Sequence, residues 1–166
     1  MATDPSLSGV ATLFITCGVP AAGKTTVARR LEKQHHALRF TPDEWLRELF
    51  PDQRTGVDES TRTAIEALHW SMARRALEIG ANVVLDYGLW GQSERDRFRS
   101  EAQALGARVV LCLLDPTRDE LVARIARRNA ELPAGVFHIT DEVLDQALTT
   151  FQRPKPEELA LFDDVI

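Results

Sequence analysis

"GVPAAGKTT", residues 18–26, directly follows the apolar run TLFIT at residues 12–16 and leads into the amphipathic run KTTVARRLEKQ at residues 24–34. Its two glycines are separated by four residues and followed by a lysine and a threonine, which is the spacing G-x-x-x-x-G-K-[ST] of phosphate-binding loops. In the order strand, loop and helix, backbone N–H groups and the positive end of the helix dipole face an anion. The stretch therefore predicts a nucleoside triphosphate site, in preference to an ordinary turn between a strand and a helix.

Each part of this loop has an expected role in binding ATP and Mg²⁺. Lys24 reaches the β- and γ-phosphates, and the Thr25 hydroxyl holds the metal ion. Gly18 and Gly23 allow backbone angles and a close approach that a Cβ would block. The expected nucleotide-binding residues are Gly18, Val19, Pro20, Ala21, Ala22, Gly23, Lys24, Thr25 and Thr26.

Apolar segments alternate with helix-like segments along the rest of the chain. Strands are predicted at residues 12–16, 36–40, 82–88 and 108–115. Helices are predicted at residues 24–34, about 58–79, 93–105, after the capping box of Thr117 and Glu120, and from Thr140 to just before Pro154. Near-continuous apolar strands between helices are typical of a parallel sheet covered on both faces. We therefore predict an α/β fold of three layers, with four to five parallel strands and a short lid at about residues 118–140.

Length and charge limit the classes of protein to which the chain can belong. At 166 residues it suits a single domain over residues 1–166, with residues 1–9 expected to be a disordered leader. No segment resembles a membrane span or a secretory signal, so we expect a cytoplasmic protein without membrane association. A net charge of −5 disfavours nucleic acid as a partner, although a short basic groove in a neutral body stays open.

Two aspartates follow predicted strands at the edge where ligands of parallel sheets bind. Asp86 ends the run VVLD and can hold a Mg²⁺-bound water, or alternatively cap a helix or loop near the strand end. Asp43, in TPDEW, can orient an acceptor hydroxyl and take its proton. Alternatively, Asp43 or Glu44 simply begins a helix. Gly18 and Asp115 also lie at strand ends, so polar groups are expected along one rim.

Arginines and aromatic residues complete the candidate site. Arg124 and Arg128 share a helix face and can neutralise charge on a transferred phosphoryl group, or form a solvated face. Arg127 points elsewhere and is less favoured, and Arg47 either binds an acidic group of the acceptor or is solvated. The three aromatic residues expected to flank an acceptor with a ring or apolar body, or otherwise to pack under loops, are Trp45, Tyr87 and Trp90.

With these motifs in place, the chain resembles the small phosphate-loop kinases that include chloramphenicol phosphotransferase, zeta toxins and the kinase domain of polynucleotide kinases. It looks most like the bacterial members often labelled AAA-family ATPases. The resemblance runs from TLFITCGVPAAGKTTVARRL through TPDEWLREL and NVVLDYGLWGQSERDRFR to RIARRN. It implies the phosphate-loop NTPase fold, with Asp43 as the base for the acceptor and Arg124 and Arg128 as lid arginines.

The leading functional expectation is an ATP- and Mg²⁺-dependent kinase that phosphorylates a hydroxyl of a small molecule, such as an antibiotic or a nucleoside-like compound. One alternative is a 5′-hydroxyl polynucleotide kinase, which needs a basic groove. The other is a nucleotide-dependent ATPase or switch without an acceptor.

Overall fold

The sheet is built of five parallel strands in the spatial order β2-β3-β1-β4-β5. The structure is a computed structural model that describes residues 9–51, 58–131 and 138–166. The strands are β1 (Thr12–Cys17), β2 (Leu38–Phe40), β3 (Val83–Leu85), β4 (Arg108–Leu113) and β5 (Asp164–Val165). Ile15 of the central strand β1 lies opposite Leu85 of β3 and Leu111 of β4, and all three side chains are fully buried. The strand order brings the end of β1 between the ends of β3 and β4.

Seven helices are present among the described residues. They are α1 (Lys24–Gln34), α2 (Pro42–Leu49), α3 (Glu59–Glu78), α4 (Gln92–Ala104), α5 (Arg118–Glu131), α6 (Asp141–Thr150) and α7 (Pro156–Leu159). None of these helices is long and apolar enough to cross a membrane.

Helices cover both faces of the sheet because side chains alternate along each strand. On one face, Leu13 and Ile15 pack with Trp70 of α3 and Phe98 of α4. On the other face, Phe14 belongs to a second cluster, which includes Ala28 and Leu31 of α1 together with Val84 and Val110. A third cluster joins the loop after β1 to α5 and α6. The predicted three-layer α/β fold with a parallel sheet of four to five strands is therefore confirmed.

The N-terminal caps predicted for α5 and α6 are confirmed, whereas the start of α4 differs from the prediction. The Glu120 carboxylate accepts from the Thr117 backbone N–H at 2.8 Å, as a capping box requires, and the Thr140 hydroxyl accepts from Val143 N–H at 3.4 Å. Helix α4 begins at Gln92 rather than Ser93, because Gly91 is its N-cap and the Glu94 carboxylate accepts from Gly91 N–H at 3.0 Å.

The chain also contains elements that the sequence did not predict. Helix α7 and strand β5 follow α6, and with four and two residues they are too short to show a hydrophobic period. The helical spacing of Ile65, Leu68, Met72, Ala76 and Ile79 predicts one apolar face for helix α3, but only Ile65 and Ala76 are buried, whereas Leu68, Met72 and the C-cap Ile79 are exposed. The buried face instead includes the larger rings His69 and Trp70.

Two predicted segments lie wholly or partly outside the described residues. The predicted leader at residues 1–9 falls there except for Gly9, and so does the part of the predicted lid at residues 132–137.

Candidate active site

The glycine loop lies between the end of β1 and the first turn of α1. Gly18 has a φ of +154°, and a Cβ there would approach the Leu114 carbonyl oxygen to 2.5 Å. Gly23, the N-cap of α1, has a left-handed φ of +102°. Both positions therefore require glycine. Any other residue would have a strained backbone at position 23, and its Cβ at position 18 would collide with the Leu114 carbonyl oxygen that follows β4. The loop is thereby drawn tightly against the end of the sheet.

Lys24 is folded back onto this loop. Its Nζ donates to the Val19 carbonyl oxygen at 2.8 Å. Burial lowers the pKa of Lys24, while the negative charges of Asp86 and Asp43 partly oppose that shift. The lowered pKa means that the protein supplies less negative charge than a buried ammonium needs. A phosphate group fits this position because it would supply that charge.

Asp86 lies directly after β3 and is buried. Burial raises its pKa, while hydrogen bonds from the Thr25 and Thr41 hydroxyls oppose the shift. The Thr41 hydroxyl donates to Asp86 Oδ2 at 3.2 Å. Mg²⁺ is bound in phosphate-transfer sites by one or two protein oxygens and several waters, so the paired oxygens of Thr25 and Asp86 fit this ion. No larger group of metal-binding side chains occurs in the described part of the chain.

Two residues that support Asp86 were not identified from the sequence. Thr41 looks like a helix cap in the motif TPDE, but its side chain bonds Asp86 and makes no cap hydrogen bond. Arg39 donates to the Thr41 hydroxyl, lies 3.6 Å from Asp86 Oδ2 and pairs with Glu44 at 2.9 Å. Both residues precede α2 by only a few positions, but no spacing rule identifies them, since Thr41 and Asp86 are 45 positions apart in the sequence.

Asp43 lies in the first turn of α2 and is exposed to the cavity. Its Oδ1 accepts two hydrogen bonds from the Arg62 guanidinium, each 3.0 Å long. Arg62 is on α3 and also lies 3.3 Å from Glu66. Asp43 therefore lies in the first turn of a helix and also faces the cavity, so its helix position is compatible with the predicted role. Arg62 was not found from the sequence, because nothing in α3 distinguishes it from a surface arginine.

A single open cavity of about 1100 Å³ connects the loop with Asp43 and Asp86. The predicted site residues in its wall are Pro20, Ala21, Ala22, Gly23, Lys24, Thr25, Thr26, Asp43, Asp86, Tyr87, Trp90, Arg124 and Arg128. Gly18 and Val19 do not line the cavity, and their backbone carbonyls accept hydrogen bonds from neighbouring side chains. The Gly18 carbonyl accepts from Trp90 Nε1 at 3.1 Å, and the Val19 carbonyl accepts from Lys24.

The structure places three other candidates elsewhere. Trp45 packs edge-on against His69 with ring centroids 4.5 Å apart and does not line the cavity. A residue two positions after Asp43 on a helix is rotated to another face, which explains this difference. Arg47 is solvent-exposed and also lies outside the cavity wall. Asp115 pairs with Arg153 at the surface rather than facing the rim.

Three of the four arginines of α5 line the cavity, namely Arg124, Arg127 and Arg128. Arg124 Nη1 donates to the Ala22 carbonyl of the loop at 2.8 Å. Arg127, which was expected to point elsewhere, lies in the wall with Arg128. The phosphate end of the cavity therefore carries four cationic side chains, with Lys24 as the fourth.

A buried ion pair supports the segment that carries Tyr87 and Trp90. Arg95 of α4 is completely buried and bonds Glu158 of α7 at 2.5 and 2.9 Å. The same guanidinium donates to the carbonyls of Leu89 and Trp90. The sequence did not reveal this pair because its partners are separated by 63 residues.

His69 packs behind the cavity wall. It is completely buried, and its Nδ1 lies 3.1 Å from the Tyr87 hydroxyl. Among the described residues its Nε2 has no hydrogen-bond partner, and burial lowers the pKa of the imidazole to about 4. His69 is therefore held neutral at physiological pH.

Comparison with known proteins agrees with this geometry. The model of the AAA domain family matches residues 13–154, which include the loop, Asp43, Asp86 and the α5 arginines. The chain belongs to the AAA domain family. No curated protein sequence matches it.

Solved structures of other proteins are similar to this chain in fold. One is from the PezAT chromosomal toxin–antitoxin system of Streptococcus pneumoniae, with a TM-score of 0.72, 20% identity, and coverage of 95% of this chain and 66% of that chain. A second is Chaetomium thermophilum Kti12 with ADP-AlF3, with a TM-score of 0.68, 16% identity, and coverage of 93% and 87%. A third is a protein of Chloroflexus aurantiacus j-10-fl assigned as a kinase, with a TM-score of 0.67, 18% identity, and coverage of 95% and 87%. The resemblance to small phosphate-loop kinases is thus confirmed at the level of the fold.

Proposed function

We propose that this AAA domain is an ATP- and Mg²⁺-dependent kinase that transfers the γ-phosphoryl group to a hydroxyl of a small molecule. The observation that carries the proposal is the position of Asp43, which shares one cavity with Lys24 and the glycine loop. A fold that also occurs in a protein assigned as a kinase and in a complex with ADP-AlF3 supports it.

The residues divide the reaction between them. The loop N–H groups and Lys24 bind the phosphates, and Asp43 orients the acceptor hydroxyl. The hydroxyl oxygen bonds to the γ-phosphorus, its proton passes to Asp43, and the bond to the β–γ bridging oxygen breaks, so that ADP leaves with the electron pair. The arginines of α5, Arg124 and Arg128 in particular, stabilise the charge on the transferred group.

Thr25 and Asp86 would hold Mg²⁺ at the phosphates. When bound, the ion neutralises phosphate charge and fixes the orientation of the phosphate chain. Thr41 and Arg39 keep the Asp86 carboxylate in place by the contacts described above. Tyr87 and Trp90 form part of the wall against which the acceptor would pack.

The acceptor side of the cavity disfavours a polynucleotide. Glu59, Glu66 and Glu94 lie in the wall beside Asp43, and carboxylates repel a phosphodiester backbone. An acceptor-free ATPase is also less well supported, because the cavity extends well past the phosphate loop to α3.

The experiment that tests the kinase is mass spectrometry of a pooled acceptor panel. The panel contains amphenicols, aminoglycosides, nucleosides, sugars and a 5′-hydroxyl oligonucleotide, incubated with protein, ATP and Mg²⁺. A gain of one phosphoryl mass, about 80 Da, that depends on Lys24 supports the proposal. The matched control is Lys24→Ala. ADP formation without any modified acceptor across the panel contradicts it in favour of an ATPase.

A further inference from the structure

The two ends of the cavity carry opposite charge. Around the glycine loop, the wall is cationic through Lys24 and three arginines of α5, which are Arg124, Arg127 and Arg128. Beyond Asp43, the described wall residues that carry charge are three glutamates and one arginine. They are Glu59, Glu66, Glu94 and Arg62. Together with Asp43, four carboxylates thus face a single guanidinium in this acceptor half.

The carboxylates of the acceptor half lie close enough together to interact. Burial raises the pKa of Glu66, and the negative charges of Glu94, Glu59 and Asp43 raise it further. The Arg62 guanidinium opposes this effect, but it is already bonded to Asp43 and lies 3.3 Å from Glu66. The negative charge of this half is therefore only partly compensated by the described residues.

We propose that the acceptor is a hydroxyl compound that also carries an ammonium group, which binds among Glu59, Glu66 and Glu94 while the hydroxyl meets Asp43. This inference rests on the proposed kinase function and names the substrate class of that same site. The phosphoryl transfer itself proceeds as described above, with the hydroxyl proton passing to Asp43.

Electrostatic complementarity favours a cationic acceptor over a neutral one. An ammonium relieves the repulsion among the carboxylates and gains charge-assisted hydrogen bonds. A neutral acceptor leaves that repulsion in place, and an anionic acceptor increases it.

The backbone of α3 and α4 sets the positions of the three glutamates. Glu94 Oε2 accepts from Gly91 N–H, which anchors this carboxylate in the first turn of α4. Glu59 and Glu66 are seven residues apart on α3, so they lie two turns apart on one helix face. Asp43 and Glu66 contact the same Arg62 guanidinium, at 3.0 and 3.3 Å, so a compact amine with several hydroxyls can reach both carboxylates.

The test compares acceptors that differ in charge. Glucosamine is matched with glucose, and kanamycin with the neutral trisaccharide raffinose. Binding is measured by isothermal titration calorimetry on the full chain with Mg²⁺ and a non-hydrolysable ATP analogue, and transfer is followed by mass spectrometry with ATP. We expect the amine of at least one pair to bind about tenfold more tightly than its neutral partner, the size of one charge-assisted hydrogen bond.

Variants assign that preference to the acceptor half. Glu66→Gln should weaken amine binding about tenfold and leave binding of the ATP analogue unchanged. Glu59→Gln, at an exposed position, is the second variant should Glu66→Gln fail to fold. The matched control is Glu78→Gln, which makes the same charge change about 18 Å further along α3 and outside this cavity.

The outcomes separate this inference from the kinase proposal. Amine binding that depends on Glu66, without transfer, supports the amine site and contradicts the kinase. A neutral acceptor identified in the pooled panel supports the kinase proposal and overturns the inference. Equal binding of both members of each pair also overturns the inference, and the kinase proposal is unaffected by it. Absence of amine binding likewise overturns the inference.

Discussion

At the scale of single residues, the geometry of Asp43 is compatible with both its pairing to an arginine and its proposed role as a base. Both hydrogen bonds from Arg62 go to Oδ1. Oδ2 is therefore not used by Arg62 and is available to an acceptor hydroxyl. The ion pair also restricts rotation of the carboxylate, so that the proposed base would be oriented before an acceptor binds.

Replacing Asp43 by asparagine should affect transfer much more than nucleotide binding. Asp43→Asn keeps the shape of the side chain but removes the proton acceptor, and we expect phosphoryl transfer to fall roughly 10²–10⁴-fold. Single-turnover kinetics and the affinity for ATP measure the two effects separately. Glu48→Gln, an exposed change on the same helix, is the control. Unchanged turnover in Asp43→Asn would remove this residue from the mechanism.

The buried His69 predicts how stability depends on pH. The unfolded chain protonates this histidine below its ordinary pKa of 6.5, whereas the folded protein keeps it neutral down to about pH 4. In that window the unfolded state binds more protons, so the free energy of unfolding falls as the pH falls. At pH 5 the loss from this group is roughly 2 kcal/mol.

Urea denaturation between pH 7 and pH 4.5 measures this effect. His69→Phe cannot take up the proton, so its free energy of unfolding should decline less steeply than that of the parent protein. His138→Phe, at an exposed position, should keep the parent slope. Parallel pH profiles for His69→Phe and the parent protein would show that His69 is not the group responsible.

At the scale of elements, the contact between α4 and α7 holds the wall of the cavity. Arg95 joins Glu158 to the carbonyls of Leu89 and Trp90, and Trp90 in turn bonds Gly18. A four-residue helix such as α7 has little stability of its own. Its position therefore depends on this ion pair and on Leu159 and Phe162, which pack against the core.

Removing one partner of this ion pair should be costly. Glu158→Ala leaves the Arg95 charge buried without its counterion, and we expect a loss of about 3–5 kcal/mol in the free energy of unfolding. The exposed neighbour Glu157→Ala should change it by less than about 0.5 kcal/mol. Both values are measured by urea denaturation. The double variant Arg95→Met, Glu158→Leu should lose less free energy of unfolding than the sum of the losses in the single variants Arg95→Met and Glu158→Leu. Strict additivity of these losses would argue against coupling.

At the scale of the whole molecule, nucleotide binding should be linked to folding. The loop, α1, α5 and the end of β3 all contribute to one cavity, so a ligand there binds only the folded chain. ATP with Mg²⁺ at about 100 times its Kd should stabilise the protein by about 2.7 kcal/mol. For a domain of this size, that corresponds to a rise in Tm of roughly 5–10 °C.

Differential scanning calorimetry with and without nucleotide measures this rise. Lys24→Ala removes a cation at the phosphates, so the rise should be largely lost in that variant. Lys33→Ala, at an exposed position near the end of α1, should retain it. An equal rise in Lys24→Ala would place the nucleotide elsewhere.

The sequence by itself determined the elements that depend on local pattern. The glycine loop, the apolar strands and the Thr117 capping box follow from backbone conformation, burial and nearby hydrogen bonds, which act over a few residues. The predicted places of Lys24, Asp43 and Asp86 in one cavity also follow, because parallel strands carry their carboxyl ends to the same edge.

Only the tertiary structure decided which side chains meet across that edge. The bonds of Arg62 to Asp43, of Thr41 to Asp86 and of Arg95 to Glu158 join residues 19 to 63 positions apart. The same packing turned Trp45 toward His69 and brought Arg127 into the wall. Such contacts depend on the angle and distance between packed elements, and neither quantity can be read from the sequence pattern.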